Sequence, residues 1–354
     1  MLSLERAPAP CHALGLGAGP ASRRVNRIVA GLAATAGALL LSAGAAAKVF
    51  DEAGVSAPFL KIAQGARASA MGEAFTAAAE EASAVHYNPA GLASLDALSV
   101  QLSHAFYLQS ITYQFVGVAQ PLAALFHQFD TSGGRLPAYT KTPDWGVLGL
   151  GFVYLNAGSF DKTDNTGAPA GSFTPQDFAA SLTYARAFGP LDFGATAKLV
   201  STMIDRSAKT YAADLGARYR TGWEDHPWTF AAAVTHMGGK LKVGRQQDPL
   251  PLTVAVGQSF RFAPELLVAT DFISPKDDAP YLALGAEFSR SVKKDLDAAL
   301  RLGYSTVHAS DGLGGIAGLT AGAGIAFPHV RFDYAWVPFG LLGQTHRFTL
   351  AFRF

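Results

Sequence analysis

The chain has 354 residues and a formal net charge of +1, with 49% hydrophobic and only 16% charged residues. Soluble domains carry about 25% charged residues, so charge is scarce here. Its near balance excludes the basic footprint of a nucleic-acid binder or a polybasic lipid patch, and a single cysteine, Cys11, excludes a disulfide framework.

Arg23, Arg24 and Arg27 precede an uncharged run from Ile28 to Ala47 that ends in Ala45-Ala46-Ala47. A basic lead, an apolar stretch and a small-x-small end predict a cleavable signal peptide over 1–47 with a long n-region. The competing reading of the same residues is an uncleaved membrane anchor. Cys11 lies in this lead, so the mature chain has no thiol chemistry. No later run of some twenty apolar residues predicts a spanning helix.

Residues 48–96 are rich in small residues, and "VHYNPAGLASL" at 85–95 places a rigid turn near their end. Pro89 fixes its own φ and pushes Asn88 out of the helical region. Ala90 follows, and Gly91 allows tight backbone approach.

From 97 to 354 the chain reads as about fourteen strands of roughly ten residues, the length that crosses a bilayer when tilted. Starts are predicted near 97, 110, 145, 176, 190, 207, 227, 250, 264, 280, 295, 316, 328 and 345. In "HRFTLAFRF", Phe348, Leu350, Phe352 and Phe354 share one face, while Arg347, Thr349, Ala351 and Arg353 share the other. This period of two recurs in "VRFDYAWV", "LDAALRLGY" and "YAADLGARY". For residues 110–120 either face assignment fits. Connections alternate between short ones, such as "FGPLD" and "FPHV", and long polar ones at 158–175, 237–251 and 305–315. Short periplasmic turns and longer outer loops are the habit of outer-membrane barrels. The long connection at 121–144 breaks this parity.

Alternation alone does not say which face points outward, and a secreted soluble β-protein is the competing reading. Glycines favour the membrane. Gly149, Gly151, Gly194, Gly216, Gly257, Gly285, Gly303, Gly322 and Gly324 fall on the face that also carries the charges. Glycine weakens a strand and often marks close approach by another backbone, which suits a lumen packed around something. Tyr154, Tyr184, Tyr304 and Trp336 lie near strand ends, where interfacial girdles sit.

Two segments carry a resemblance. "FLKIAQGARASAMGEAFTAAAEEASAVHYNPAGLASL" (59–95) resembles the N-terminal signature of the PorV/PorQ-type outer-membrane proteins, relatives of the FadL fatty-acid transporters. "DYAWVPFGLLGQTHRFTLAFRF" (333–354) resembles that family's last hairpin. The resemblance implies an all-β fold: a transmembrane antiparallel up-and-down barrel of about fourteen strands with an N-terminal plug or hatch in the lumen. On this reading residues 48–96 are the plug. Gly65, Arg67, Met71 and Gly72 pack inside it, and Asn88, Pro89, Ala90 and Gly91 turn the chain toward the first strand. A gating hatch and a static filling are both open.

Asp214, Arg218, Glu287, Arg301, Arg331 and Asp333 map to the lumen face, as do Asp192, Lys198 and Arg347, and mixed charges there read as ion pairs between plug and wall. Phe352 and the terminal Phe354 resemble the signal read by the barrel-assembly machinery. No histidine pair has ligand spacing and no nucleophile has a paired base. The expectation is therefore a non-enzymatic protein with no metal and no cofactor, set in outer-membrane lipid and exported through its signal peptide. Two functions fit the resemblance. One is engagement of secreted proteins or secretion subunits at the outer loops, in the manner of type IX secretion. The alternative is a FadL-like channel for hydrophobic small molecules such as fatty acids.

Overall fold

The computed structural model describes residues 54–108, 111–124, 145–164, 166–204, 207–221, 227–243, 246–307 and 316–354. The predicted signal peptide and nearly all of the 121–144 connection lie outside the described residues. In chain order the strands are β1 (Ser99–Phe106), β2 (Thr112–Pro121), β3 (Val147–Asn156), β4 (Phe160–Thr163), β5 (Pro169–Phe173) and β6 (Gln176–Phe188). Then come β7 (Leu191–Met203), β8 (Ser207–Arg220), β9 (Trp228–Gly238), β10 (Lys240–Val243), β11 (Gln246–Pro249) and β12 (Thr253–Ala263). The last six are β13 (Leu266–Pro275), β14 (Tyr281–Lys293), β15 (Leu296–Ser305), β16 (Leu319–Ala326), β17 (Val330–Pro338) and β18 (Gln344–Arg353).

Fourteen of these strands close into one barrel, each antiparallel to its sequence neighbours. Closure comes from β1 against β18, with Ser99 opposite Arg353 and His104 opposite Phe348. A closed barrel leaves no unpaired edge, the condition for a sheet to stand in hydrocarbon. The remaining strands form two hairpins, β4–β5 and β10–β11, in the long connections after β3 and β9. These connections, and the one after β15, all leave the same end, called here the loop end. The tight links after β6, β12, β14 and β16 leave the opposite, turn end.

The strand period sorts side chains as the sequence predicts. Leu150, Leu182, Leu215, Leu300, Leu302 and Phe332 are exposed on the outer face, as a lipid-facing band requires. Asp192, Thr196, Asp214, Arg218, Arg301 and Asp333 alternate with such residues and are buried inside. β2 resolves its ambiguity in an unexpected sense: Tyr113 and Phe115 point inward and are buried, whereas Val116 points out. They do so because the lumen holds an apolar core of its own. Phe59, Leu60, Phe75, Val85 and Leu92 of the N-terminal segment pack with Phe115, Val153 and Val200 of the wall.

Candidate functional site

The segment that fills the barrel starts at its loop end. The Ser56 amide donates to the Pro249 carbonyl at 2.9 Å, and Lys61 Nζ reaches Asp277 at 2.6 Å. A short turn at Pro58–Lys61 and a one-turn helix at Ala66–Ala70 carry the chain inward. A second short helix, Ala84–Tyr87, and a 3-10 turn at Pro89–Ser94 carry it on toward the turn end and β1. Each piece is too short to satisfy its own backbone, so the wall supplies partners. Thr349 Oγ1 accepts from the Ala66 amide at 2.8 Å, and Thr320 Oγ1 from the Gly72 amide at 3.1 Å. The Phe75 and Thr76 amides both donate to Asp271 Oδ2, at 2.8 and 2.7 Å.

Contact this close depends on small wall residues. A Cβ added to eight of the nine glycines singled out above would lie within 4 Å of residues in 70–92; Gly324 instead faces Asp333 and Arg301. At Gly303 the added carbon would meet the Gly72 amide and the Met71 carbonyl carbon, and at Gly216 the Asn88 side chain. Asn88 is fully buried. Its Nδ2 donates to the Thr76 carbonyl at 3.0 Å, and its Oδ1 accepts from the Ala90 amide at 3.1 Å, capping the Pro89 turn. Gly91 lies against the Ala79 carbonyl, Gly65 against Gln101, and Met71 against Gly285. Gly72 takes a left-handed φ of 62°.

The ion-paired charges of the lumen form three groups. In the first, Arg67 Nε and Nη2 bind Glu287 at 2.7 and 2.8 Å. Arg301 bridges Glu287 at 2.6 Å and Asp333 at 2.8 Å. Arg331 bonds Asp333 at 2.7 Å and also bonds Glu81. In the second, Arg218 pairs with Asp192 at 3.0 Å, lies 3.6 Å from Glu80, and donates to the Ala79 carbonyl at 3.1 Å. In the third, Lys198 pairs with Asp214 at 2.5 Å within the wall. The first two groups therefore tie the segment to the wall, while Asp214 pairs only with the wall. Sequence pattern alone did not mark Glu80 and Glu81 as partners, because they sit in an alanine run without strand periodicity. Phe352 and Phe354 stack outside the barrel with ring centroids 6.1 Å apart. The Phe354 amide donates to the Leu98 carbonyl at 3.1 Å.

Two of the segment's shifted acidities, those of Glu81 and His86, bear on docking between neutral and acid pH. Burial favours the neutral form of Glu81, but the charges of Arg331 and Arg67 outweigh it and hold the carboxyl at about 2. Burial, together with the Lys198 charge, pushes His86 well below 6.5. His86 Nδ1 accepts from Gln64 Nε2 at 2.8 Å, and its ring lies 6.1 Å from that of His236. Both shifts act in one direction on the docked segment. Glu81 stabilises docking fully above about 4.3, its usual value, and loses that contribution as pH falls toward 2. His86 resists protonation only when docked, so acid weakens docking from below about 6.5. Amide hydrogen exchange over residues 66–76, corrected for its intrinsic pH dependence, is thus expected to accelerate in a first step between pH 7 and 5 and again below pH 4. His86→Gln should remove the first step alone, and Glu81→Gln the second; a corrected exchange rate independent of pH would contradict both assignments.

Between the segment and the loop end lies a cavity of about 420 Å³, within the range of small-molecule sites. Leu60, Ile62, Ala255 and Ile273 supply apolar walls, and Tyr87, Tyr107, Tyr281 and Phe339 aromatic ones. His86, Glu73, His236 and Arg347 add polar groups. Sequence reasoning did not find this cavity, because its lining comes from eight or more separated elements. Among the described residues no cluster of histidine, cysteine or carboxylate side chains could hold a metal ion.

Barrel, internal segment and loop-end cavity together define an outer-membrane-type β-barrel with an occupied lumen. The same fold occurs in the toluene transporter TodX of P. putida, which superposes with a TM-score of 0.52 at 12% identity, covering 82% of this chain and 98% of that one. A TodX deltaS2S3 mutant, described as a monoaromatic hydrocarbon channel, gives 0.51 at 12% identity with the same coverage. A FadL homologue from Pseudomonas aeruginosa gives 0.47 at 9% identity over 84% of this chain and 99% of that one. No family model matches the chain, and no curated protein does.

Proposed function

We propose that this chain is an outer-membrane channel that takes up hydrophobic small molecules from the loop side, the reading given above as the FadL-like alternative. The observation that carries it is the loop-end cavity, apolar and aromatic on its walls and floored by the internal segment. The occurrence of this fold in a toluene transporter supports uptake over protein secretion. On this reading outer-membrane lipid surrounds the barrel and a cleavable signal peptide exports it. Phe352 and Phe354 are read by the barrel-assembly machinery. The segment around Asn88, Pro89, Ala90 and Gly91 is the hatch whose movement releases ligand toward the turn end.

Purified protein is expected to bind a neutral aromatic such as toluene or indole saturably. Ala255→Trp, which fills the cavity from its wall, should abolish that binding while the barrel stays folded. A wild-type protein that binds neither neutral aromatics nor fatty acids, in cells whose uptake of both is unchanged by deletion, would rule the reading out. Recovery of secreted proteins with the barrel instead would favour the secretion role.

A further inference from the structure

Charges in this lumen are mostly neutralised pairwise; Asp271 instead accepts two amides of the segment, and Arg347 and Glu73 also lack an opposite charge. Arg67, Arg218 and Arg301, the other buried arginines among the described residues, each have a carboxylate within 4 Å. Arg347 is equally buried and has none. Its Nη1 donates to the Ala63 carbonyl and to Ser69 Oγ, and its Nε is buried with no partner. Glu80 and Glu81 of the segment each meet an arginine. Glu73, from the same segment, meets no cation and no hydrogen-bond donor among the described residues. Arg347 and Glu73 both line the loop-end cavity.

Glu73 also holds an unfavourable backbone. Its φ is 70°, in the left-handed region that glycine favours, and its amide donates to the Ala68 carbonyl at 3.0 Å. A side chain kept in a strained position with no protein partner is a pointer to function. Aromatic rings flank both charges. The Arg347 guanidinium lies 5.9 Å from the centroid of Tyr107, and Tyr87 and Tyr281 line the same space. Ring faces attract cations, and the rings bury apolar surface.

The geometry points to a zwitterionic ligand for this cavity: a small molecule with an apolar or aromatic body, an anionic group for Arg347 and a cationic group for Glu73. This rests on the cavity being a ligand site, as proposed above. A hydrocarbon would leave both charges without partners, and a fatty acid would leave Glu73. A zwitterion satisfies both and keeps the site neutral, as the ion pairs of Arg67, Arg218 and Arg301 do elsewhere in the lumen.

Four probes sharing one ring separate the possibilities by calorimetry on the full chain in detergent: indole, tryptamine, indole-3-propionate and L-tryptophan. Tryptophan is expected to bind at least tenfold more tightly than indole, with the singly charged probes between. Glu73→Gln should weaken tryptophan and tryptamine at least fivefold and leave indole and indole-3-propionate unchanged. Because Arg347 also holds the segment, Arg347→Lys serves as the second variant. It keeps the charge and should retain tryptophan's advantage over indole, while losing part of the affinity for indole-3-propionate. Tryptophan binding no tighter than indole overturns the zwitterion, as does an equal loss for all four probes in Glu73→Gln, and in either case uptake of hydrophobic molecules stands. Failure of all four probes to bind overturns the ligand cavity and the zwitterion together.

Discussion

Gly303→Val is expected to expel the internal segment and leave the barrel standing. The new side chain would occupy the position of the Gly72 amide and the Met71 carbonyl carbon, which are backbone atoms that no rotamer change can clear. Overpacking of this kind costs about 1–3 kcal/mol even where side chains can give way. The barrel is held by a closed ladder of fourteen strands, whereas residues 66–76 are held by amide bonds to Thr349, Thr320 and Asp271, by Arg347 on Ser69 and by the ion pair of Arg67 with Glu287. The segment is the weaker partner and moves. Single-channel conductance should rise, and trypsin should cut at Arg67, which is buried in the native protein. Gly216→Val should act alike by displacing the Asn88 side chain. Ala197→Val on the exposed face should change neither readout. A folded Gly303→Val barrel with native conductance and a protected Arg67 would show that the lumen has room the packing denies.

The second large effect belongs to Glu287. Its carboxylate is shared by Arg67 of the segment and Arg301 of the wall, at 2.7 and 2.6 Å. Removing one member of a buried charge group leaves the others desolvated and unpaired, at about 3–5 kcal/mol. Glu287→Leu should therefore lower the urea midpoint and free the segment for proteolysis. Arg67→Met combined with Glu287→Leu should recover much of the loss, because Arg301 still has Asp333 at 2.8 Å. A double variant no more stable than Glu287→Leu alone would mean that the two residues do not act as a pair. Arg67→Met by itself should cost less than Glu287→Leu, since Glu287 keeps Arg301.

The expectations drawn from local pattern and those drawn from long-range contact fared differently, and the residues show why. Predicted starts near 176, 190, 207, 264 and 295 fall within two residues of the first residues of β6, β7, β8, β13 and β15, because alternation with a period of two is written in consecutive side chains. Wall glycines were legible for a related reason: a strand tolerates glycine poorly, so its recurrence on one face signals an approaching backbone. Tyr113 and Phe115 were not legible. Alternation says that they share a face, and only the apolar segment inside makes that face the inner one. The partners of Arg67 were equally hidden, since Glu287 lies 220 residues away and meets it only after fourteen strands close in register.

Sequence by itself determined a count of about fourteen strands, their apolar face, their charged and glycine-lined face, and the turn at Asn88-Pro89. Each of these is a property of neighbours along the chain. Tertiary structure decided that residues 54–95 run from the loop end toward the turn end, that Glu80, Glu81 and Arg67 bind the wall, and that Glu73 and Arg347 are left facing one cavity without partners. Those outcomes depend on barrel closure, which fixes distances between residues that no periodicity relates.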